Sequence, residues 1–182
     1  MSNVMPARGG KIAIISDSHD NVPNIEKFLN WAKKNKVEMI IHCGDVAAPV
    51  IIKKLFAEKF KGEMHLVHGN VSDRDLLEEV CDEYDHITLH GDEGELNFEG
   101  ETSTSRLQVA FCHFPDQAKE LAESGKYQLV FYGHTHKPWI ESLKNGCQLI
   151  NPGTLGGLFQ KPTFAVFNTE NNDLKLENLE EL

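Results

Sequence analysis

Three β-branched runs near the start of the chain end alike, and they constrain the fold more than any other feature. KIAII (11–15) breaks at Ser16–Asp17, VEMIIH (37–42) runs into Cys-Gly-Asp, and EMHLVH (63–68) runs into Gly-Asn. Between the first two lies NVPNIEKFLNWAKKNK, with apolar residues at 25, 28, 29 and 32, a helical spacing. Between the second and third lies PVIIKKLFAEKFKG, read as a helix with Pro49 tolerated in its first turn and Gly62 just past its end. A short helix through DLLEEVC follows. A βαβαβ succession of this kind predicts a parallel sheet with helical crossovers.

The middle of the chain changes character. HITLHGDEGELNFEGETSTSRLQVAFCHF reads as strands joined by Gly- and Ser/Thr-rich turns, predicted antiparallel. PDQAKELAESGK is a helix with Gly125 near its C-terminus, and YQLVFYGHTH, WIESL, CQLINPG, TFAVFN and DLKLENL are further strand candidates. That is too many strands for one ordinary sheet. Two mixed sheets packed face to face with helices outside, a four-layer αββα sandwich of the α/β class, accommodate them. A single domain over residues 1–182 is expected, with a flexible start at 1–10.

Bulk properties exclude several functions. The 182 residues carry a formal charge of −10, so a groove for a nucleic-acid backbone is not expected. The basic clusters in WAKKNK and IIKKLFAEKFKG read as solvated helix faces. Cys43, Cys81, Cys112 and Cys147 form no CxxC, and with no signal-peptide pattern this predicts free thiols in the cytoplasm. No run approaches the roughly 20 apolar residues of a membrane span. Self-association into a homo-oligomer is compatible with the sequence, in which nothing separates an interface strand from a core one.

The polar residues that end the strands carry the chemistry. Asp17 and His19 follow the first strand, Asp45 the second and Asn70 the third; His113 ends QVAFCH, and His134 and His136 end QLVFY with its GHTH. In extended backbone residues i and i+2 point to one side, so His134 and His136 are expected to face one spot with Thr135 turned away. Ligands collect at the carboxyl ends of parallel strands. Seven carboxylate, imidazole and amide groups exceed the needs of one ion once water is counted, and two metals sharing one carboxylate fit better. Ions about 3.5–4 Å apart can clamp a phosphoryl group.

DSH (17–19), GDV (44–46), GN (69–70), His113, GHTH (133–136) and NPG (151–153) stand in an order that resembles the calcineurin-like metallophosphoesterases, specifically their small bacterial and archaeal phosphodiesterases, over residues 11–170. The resemblance implies the αββα sandwich and a dinuclear centre whose metal-bridging hydroxide attacks phosphorus in a small phosphoester. It implies that Asp17, His19 and His136 hold one metal, that Asn70, His113 and His134 hold the other, and that Asp45 bridges them. Catalysis would then rest on Asp45, Asn70 and His113. Manganese is the ion implied first, with iron, zinc or nickel as alternatives, since mixed oxygen and nitrogen ligation selects none of them. Three departures stand out. The phosphatase branch has a histidine after the asparagine, where this chain has Val71. GNVSD places Asp73 one residue later than the small diesterases do. The usual HGH is HFP, with Phe114 and Pro115 after His113.

Other residues receive plainer readings. His42 is expected in the core. His68 and Asp73 are candidates for contact with substrate or for support of a ligand. His65, His86 and His90 are expected to have no convergent partner, Cys112 to be inert core, and GTLGG (153–157) to be a turn. The competing function is a non-catalytic protein-binding scaffold, since the retromer scaffold subunit resembles this fold and also lacks the histidine after the asparagine. A scaffold has no physical need for seven converging ligand side chains, which favours a metal-dependent phosphodiesterase.

Overall fold

A computed structural model describes residues 4–5, 10–99 and 106–182. Its strands are β1 (Val4–Met5), β2 (Lys11–Ile15), β3 (Val37–His42), β4 (Glu63–Leu66), β5 (Ile87–Leu89), β6 (Glu93–Glu99), β7 (Arg106–Cys112), β8 (Leu129–Phe131), β9 (Trp139–Ser142), β10 (Gln148–Asn151), β11 (Thr163–Asn168) and β12 (Asp173–Asn178). The helices are α1 (Val22–Lys34), α2 (Arg74–Asp82) and α3 (Pro115–Glu123). Of the flexible start expected at 1–10, Val4–Met5 instead pairs in parallel with β6, and Gly10 bonds through its N–H to Oγ1 of Thr169 (3.0 Å). The other residues of that stretch, and the Ser/Thr-rich turn after β6, lie outside the described residues.

The strands form two six-stranded mixed sheets, ordered β1-β6-β7-β8-β10-β9 and β12-β11-β2-β3-β4-β5. The βαβαβ reading holds, with β2, β3, β4 and β5 parallel neighbours. The antiparallel reading of the middle holds for β6 and β7 only; β5 adds in parallel to β4. α2 packs on β5 and so acts as a third crossover.

Side-chain alternation along each strand builds the layers. Ile12 and Ile14 of β2 meet Leu96, Val109, Phe111 and Phe131 between the sheets, while Ala13 and Ile15 face α1 with Phe28 and Leu29. On the far side, Ala110, Cys112 and Val130 pack against Ala118 and Ala122 of α3. The order is therefore helix, sheet, sheet, helix. Each buried aliphatic side chain contributes about 1.5–3 kcal/mol relative to exposure, which makes the strand registers hard to slip.

Local chemistry fixes both ends of α1. Asn21 caps α1 by accepting the Asn24 N–H, and Lys33 and Lys34 lie in its last turn, where they complement the helix dipole. The second predicted helix differs: Ile52–Ala57 winds as a π-helix, still burying Ile52, Leu55 and Phe56. Such wide turns inside helices concentrate near functional sites.

Candidate metal centre

All seven expected ligands lie in loops that leave the strand ends, and five of them have a left-handed backbone: Asp17 (φ 50°), His19 (41°), Asp45 (61°), His134 (67°) and His136 (59°). Each such non-glycine residue costs on the order of 1 kcal/mol, and strain of this kind gathers where a site over-determines the chain. The extended geometry expected for His134 and His136 is therefore corrected. β8 stops at Phe131, the loop bends, and the two imidazoles diverge onto different groups.

His136 joins the first group. Its Nε2 lies 3.2 Å from Asp17 Oδ1 and 3.1 Å from His19 Nε2. Asp17, His19 and His136 offer ligand atoms that all lie within 4.8 Å of one another. His134 joins the second group instead: its Nδ1 is 2.9 Å from Asn70 Oδ1 and 3.3 Å from His113 Nε2, which is itself 3.0 Å from that amide oxygen. Asp45 reaches both groups, with Oδ2 3.7 Å from His19 Nε2 and Oδ1 3.5 Å from His113 Nε2. Asp17 also reaches both, because it clusters with Asp45 and His113 as well.

Backbone carbonyls fix the imidazole tautomers. His113 Nδ1 donates to the Cys43 carbonyl (2.8 Å) and His136 Nδ1 to the Leu158 carbonyl (3.0 Å), so both Nε2 atoms turn a lone pair to the cluster. Asp17 Oδ2 accepts the His134 N–H (3.0 Å), and Asp45 Oδ1 accepts the N–H groups of Asn70 (2.8 Å) and Val71 (3.2 Å). These close approaches need glycine. A Cβ on Gly69 would overlap Asp45 Oδ1, and one on Gly133 would overlap Ser16 Oγ.

The electrostatics suit a cation. Asp17 is fully buried and its Oδ1 has no hydrogen-bond partner among the described residues. Burial raises its carboxyl to about 6, against the lowering effects of Ser16 and His136. Burial also lowers His19 and His113 below the usual imidazole value, which favours the neutral, ligating form. An orphaned buried carboxylate oxygen among neutral imidazoles fits a divalent ion.

The supporting residues divide differently from expectation. His42 is core, with Nε2 3.0 Å from Ser18 Oγ, and burial lowers it to about 3. Asp73 caps a helix: its exposed carboxylate accepts the Leu76 N–H at the start of α2. His68 is buried, its Nδ1 lacks a hydrogen-bond partner among the described residues, and its charged neighbours are Arg74, Asp92 and Glu78. The lone-histidine reading of His65 and His90 is also corrected, because Nδ1 of His65, in β4, lies 2.9 Å from Nε2 of His90, the residue that follows the adjacent β5. The GTLGG turn proves to be a buried brace. Thr154 Oγ1 and Gly156 N–H both donate to the Asp17 carbonyl. Asn151, from NPG, donates to the Gly133 carbonyl (2.9 Å) and Thr135 Oγ1 (3.0 Å), pinning the GHTH loop. The carbonyls of Cys43 and Leu158 leave no signal in sequence, because any residue supplies one.

A two-sheet sandwich with a histidine–aspartate centre at its strand ends defines a class of metal-dependent phosphoesterase. The chain matches the calcineurin-like phosphoesterase superfamily domain over residues 11–172 and belongs to that superfamily. It is 29% identical over 167 residues to phosphodiesterase MJ0936 of Methanocaldococcus jannaschii, covering 91% of this chain and 96% of that one. A solved structure described as a novel archaeal phosphodiesterase superposes with a TM-score of 0.76 at 28% identity, covering 92% and 99% of the two chains. Vps29 of Chaetomium thermophilum shares the fold at 14% identity and a TM-score of 0.64, covering 93% and 94%. No helix among the described residues is long and apolar enough to cross a membrane.

Proposed function

We propose that the protein is a cytoplasmic phosphodiesterase that hydrolyses small phosphoesters at a dinuclear centre. Asp17, His19 and His136 would hold one ion, Asn70, His113 and His134 the other, with Asp45 shared between them. The carrying observation is that the two Asp45 oxygens face imidazoles of different groups, at 3.7 and 3.5 Å. When bound, the ions, manganese foremost with iron, zinc or nickel as alternatives, supply Lewis-acid charge and a nucleophile available near pH 7.

The chain's own residues do the rest. The Cys43 and Leu158 carbonyls orient His113 and His136, and the Asn70 and Val71 amides hold Asp45. Asn70 and His134 are exposed, so this side of the centre opens to solvent for the substrate. The nearby cations are spent elsewhere: Arg74 pairs with Asp92 (2.8 Å) and Lys137 lies over the Trp139 ring. With Arg74 and Lys137 so engaged among the described residues, diester monoanions are the preferred substrates over dianions.

Bis(p-nitrophenyl) phosphate should be hydrolysed with added manganese and not by chelator-treated protein. Its kcat/KM should exceed that for p-nitrophenyl phosphate. A manganese-loaded protein that hydrolyses neither would favour the scaffold reading, which rests on a likeness of fold.

A further inference from the structure

We propose that Phe159 is a specificity-determining platform on which a planar aromatic arm of the phosphodiester, a nucleobase or an aryl ring, stacks beside the metal centre. This rests on the phosphodiesterase reading above.

Phe159 is 92% exposed, while the other nine phenylalanines that the sequence contains include none so open among the described residues. It belongs to none of the three apolar cores. Its backbone is left-handed (φ 62°), a conformation costly for a bulky side chain. An apolar ring that is both strained and left in water returns nothing to the stability of the fold.

Its one ring contact among the described residues is with the site. The Phe159 ring lies 6.0 Å from that of His136, with 29° between the planes, and its remaining surface faces solvent. The preceding residue fixes the placement, because the Leu158 carbonyl takes the His136 Nδ1–H (3.0 Å). His136 turns its Nε2 to Asp17 and His19, so the open aromatic surface stands about one imidazole away from where a phosphoryl group would be held. A flat π-face offered to solvent there suits a flat partner. Stacking on such a platform tolerates different bases, since every base has a π-face. The charge of −10 restricts that partner to short substrates.

Four diesters with one leaving group, p-nitrophenolate, and one negative charge test this; their second arm is methyl, cyclohexylmethyl, benzyl or thymidine 5′. In the manganese-loaded protein the benzyl and thymidine esters should exceed the methyl and cyclohexylmethyl esters in kcat/KM. Whichever of the two is better identifies the source of the ring. Phe159→Leu should lower that preference about 5- to 150-fold, the range of one lost stacking contact, and Phe159→Trp should retain it. Metal content is measured in each variant. If the ring serves only to hold His136, Phe159→Leu lowers all four rates together, with metal content, and leaves the ratios intact; that overturns the proposal. Equal preference for the cyclohexylmethyl arm overturns it too, since bulk without a π-face would then suffice. No hydrolysis of any ester with manganese, iron, zinc or nickel removes the phosphodiesterase reading and this one with it. Hydrolysis with unchanged ratios removes this one alone.

Discussion

Asp17 Oδ1 stands 3.2 Å from Nε2 of His136, yet it accepts no hydrogen bond among the described residues, because the His136 proton sits on the opposite nitrogen. A buried carboxylate in this position is costly without a cation. Asp17→Asn keeps an oxygen for the His134 N–H and removes the charge. The variant should therefore have a higher Tm than the wild type in chelator, by an amount corresponding to about 1–3 kcal/mol, and should gain less Tm from added manganese. A chelated variant less stable than the wild type would mean that Asp17 is satisfied without metal.

Asp45 differs from Asp17 in accepting two backbone N–H groups on one oxygen. Its Oδ1 already serves the amides of Asn70 and Val71, and both oxygens face imidazoles. Asp45→Asn should lower metal stoichiometry from two toward zero and reduce hydrolysis more than Asp17→Asn does. Metal analysis of both variants checks this. Equal losses would make Asp17, which also reaches both groups, an equal partner in bridging.

The fold was legible because alternation and helical spacing act locally. Ile12 and Ile14 against Ala13 and Ile15 announce a strand covered on both faces, and the positions of Asp17, Asp45 and Asn70 follow from the ends of such strands. The order of the ligand motifs likewise survives in one dimension. Backbone conformation does not. Nothing in GHTH announces that His134 and His136 are both left-handed, so the period of an extended chain gave the wrong directions for both side chains. The His65–His90 pair was hidden for a related reason: it depends on β5 lying parallel beside β4, whereas the sequence grouped that strand with the antiparallel middle.

That pair has a consequence for acid stability. His65 is buried, with His90 at its Nδ1 and Glu63 Oε2 3.9 Å from its Nε2, and burial lowers it from 6.5 to about 4. A histidine whose folded pKa is lowered favours the neutral folded form, so its contribution is fully present above the unfolded value near 6.5. It is lost as pH falls from there toward 4, because the unfolded chain takes up the proton first. The loss reaches about 3 kcal/mol, at about 1.4 kcal/mol per unit. In metal-free protein, His65→Gln should flatten the fall in unfolding free energy between pH 6.5 and 4. Parallel pH profiles for variant and wild type would show that His65 does not titrate on unfolding.

On the proposed function, Val71 would give the departing group no acid. Its apolar side chain is 40% exposed and its N–H is bound to Asp45 Oδ1, so it stands at the edge of the site without a proton to give. Two of the residues around it are committed, and a third is held toward its neutral form. Ser72 Oγ donates to the Val46 carbonyl (2.7 Å), Asp73 caps α2, and burial lowers His68 further toward its neutral form. General-acid help is typically worth about 10²–10⁴ in rate and matters most for poor leaving groups. The rate across a series of aryl phosphodiesters should therefore fall steeply as leaving-group pKa rises. Val71→His places an imidazole where one is missing and should flatten that slope, helping alkyl leaving groups more than p-nitrophenolate. The comparison is a linear free-energy plot for both proteins at fixed manganese and pH. A shallow wild-type slope that Val71→His leaves unchanged would mean that another group already donates the proton, and His68 would be the first to replace.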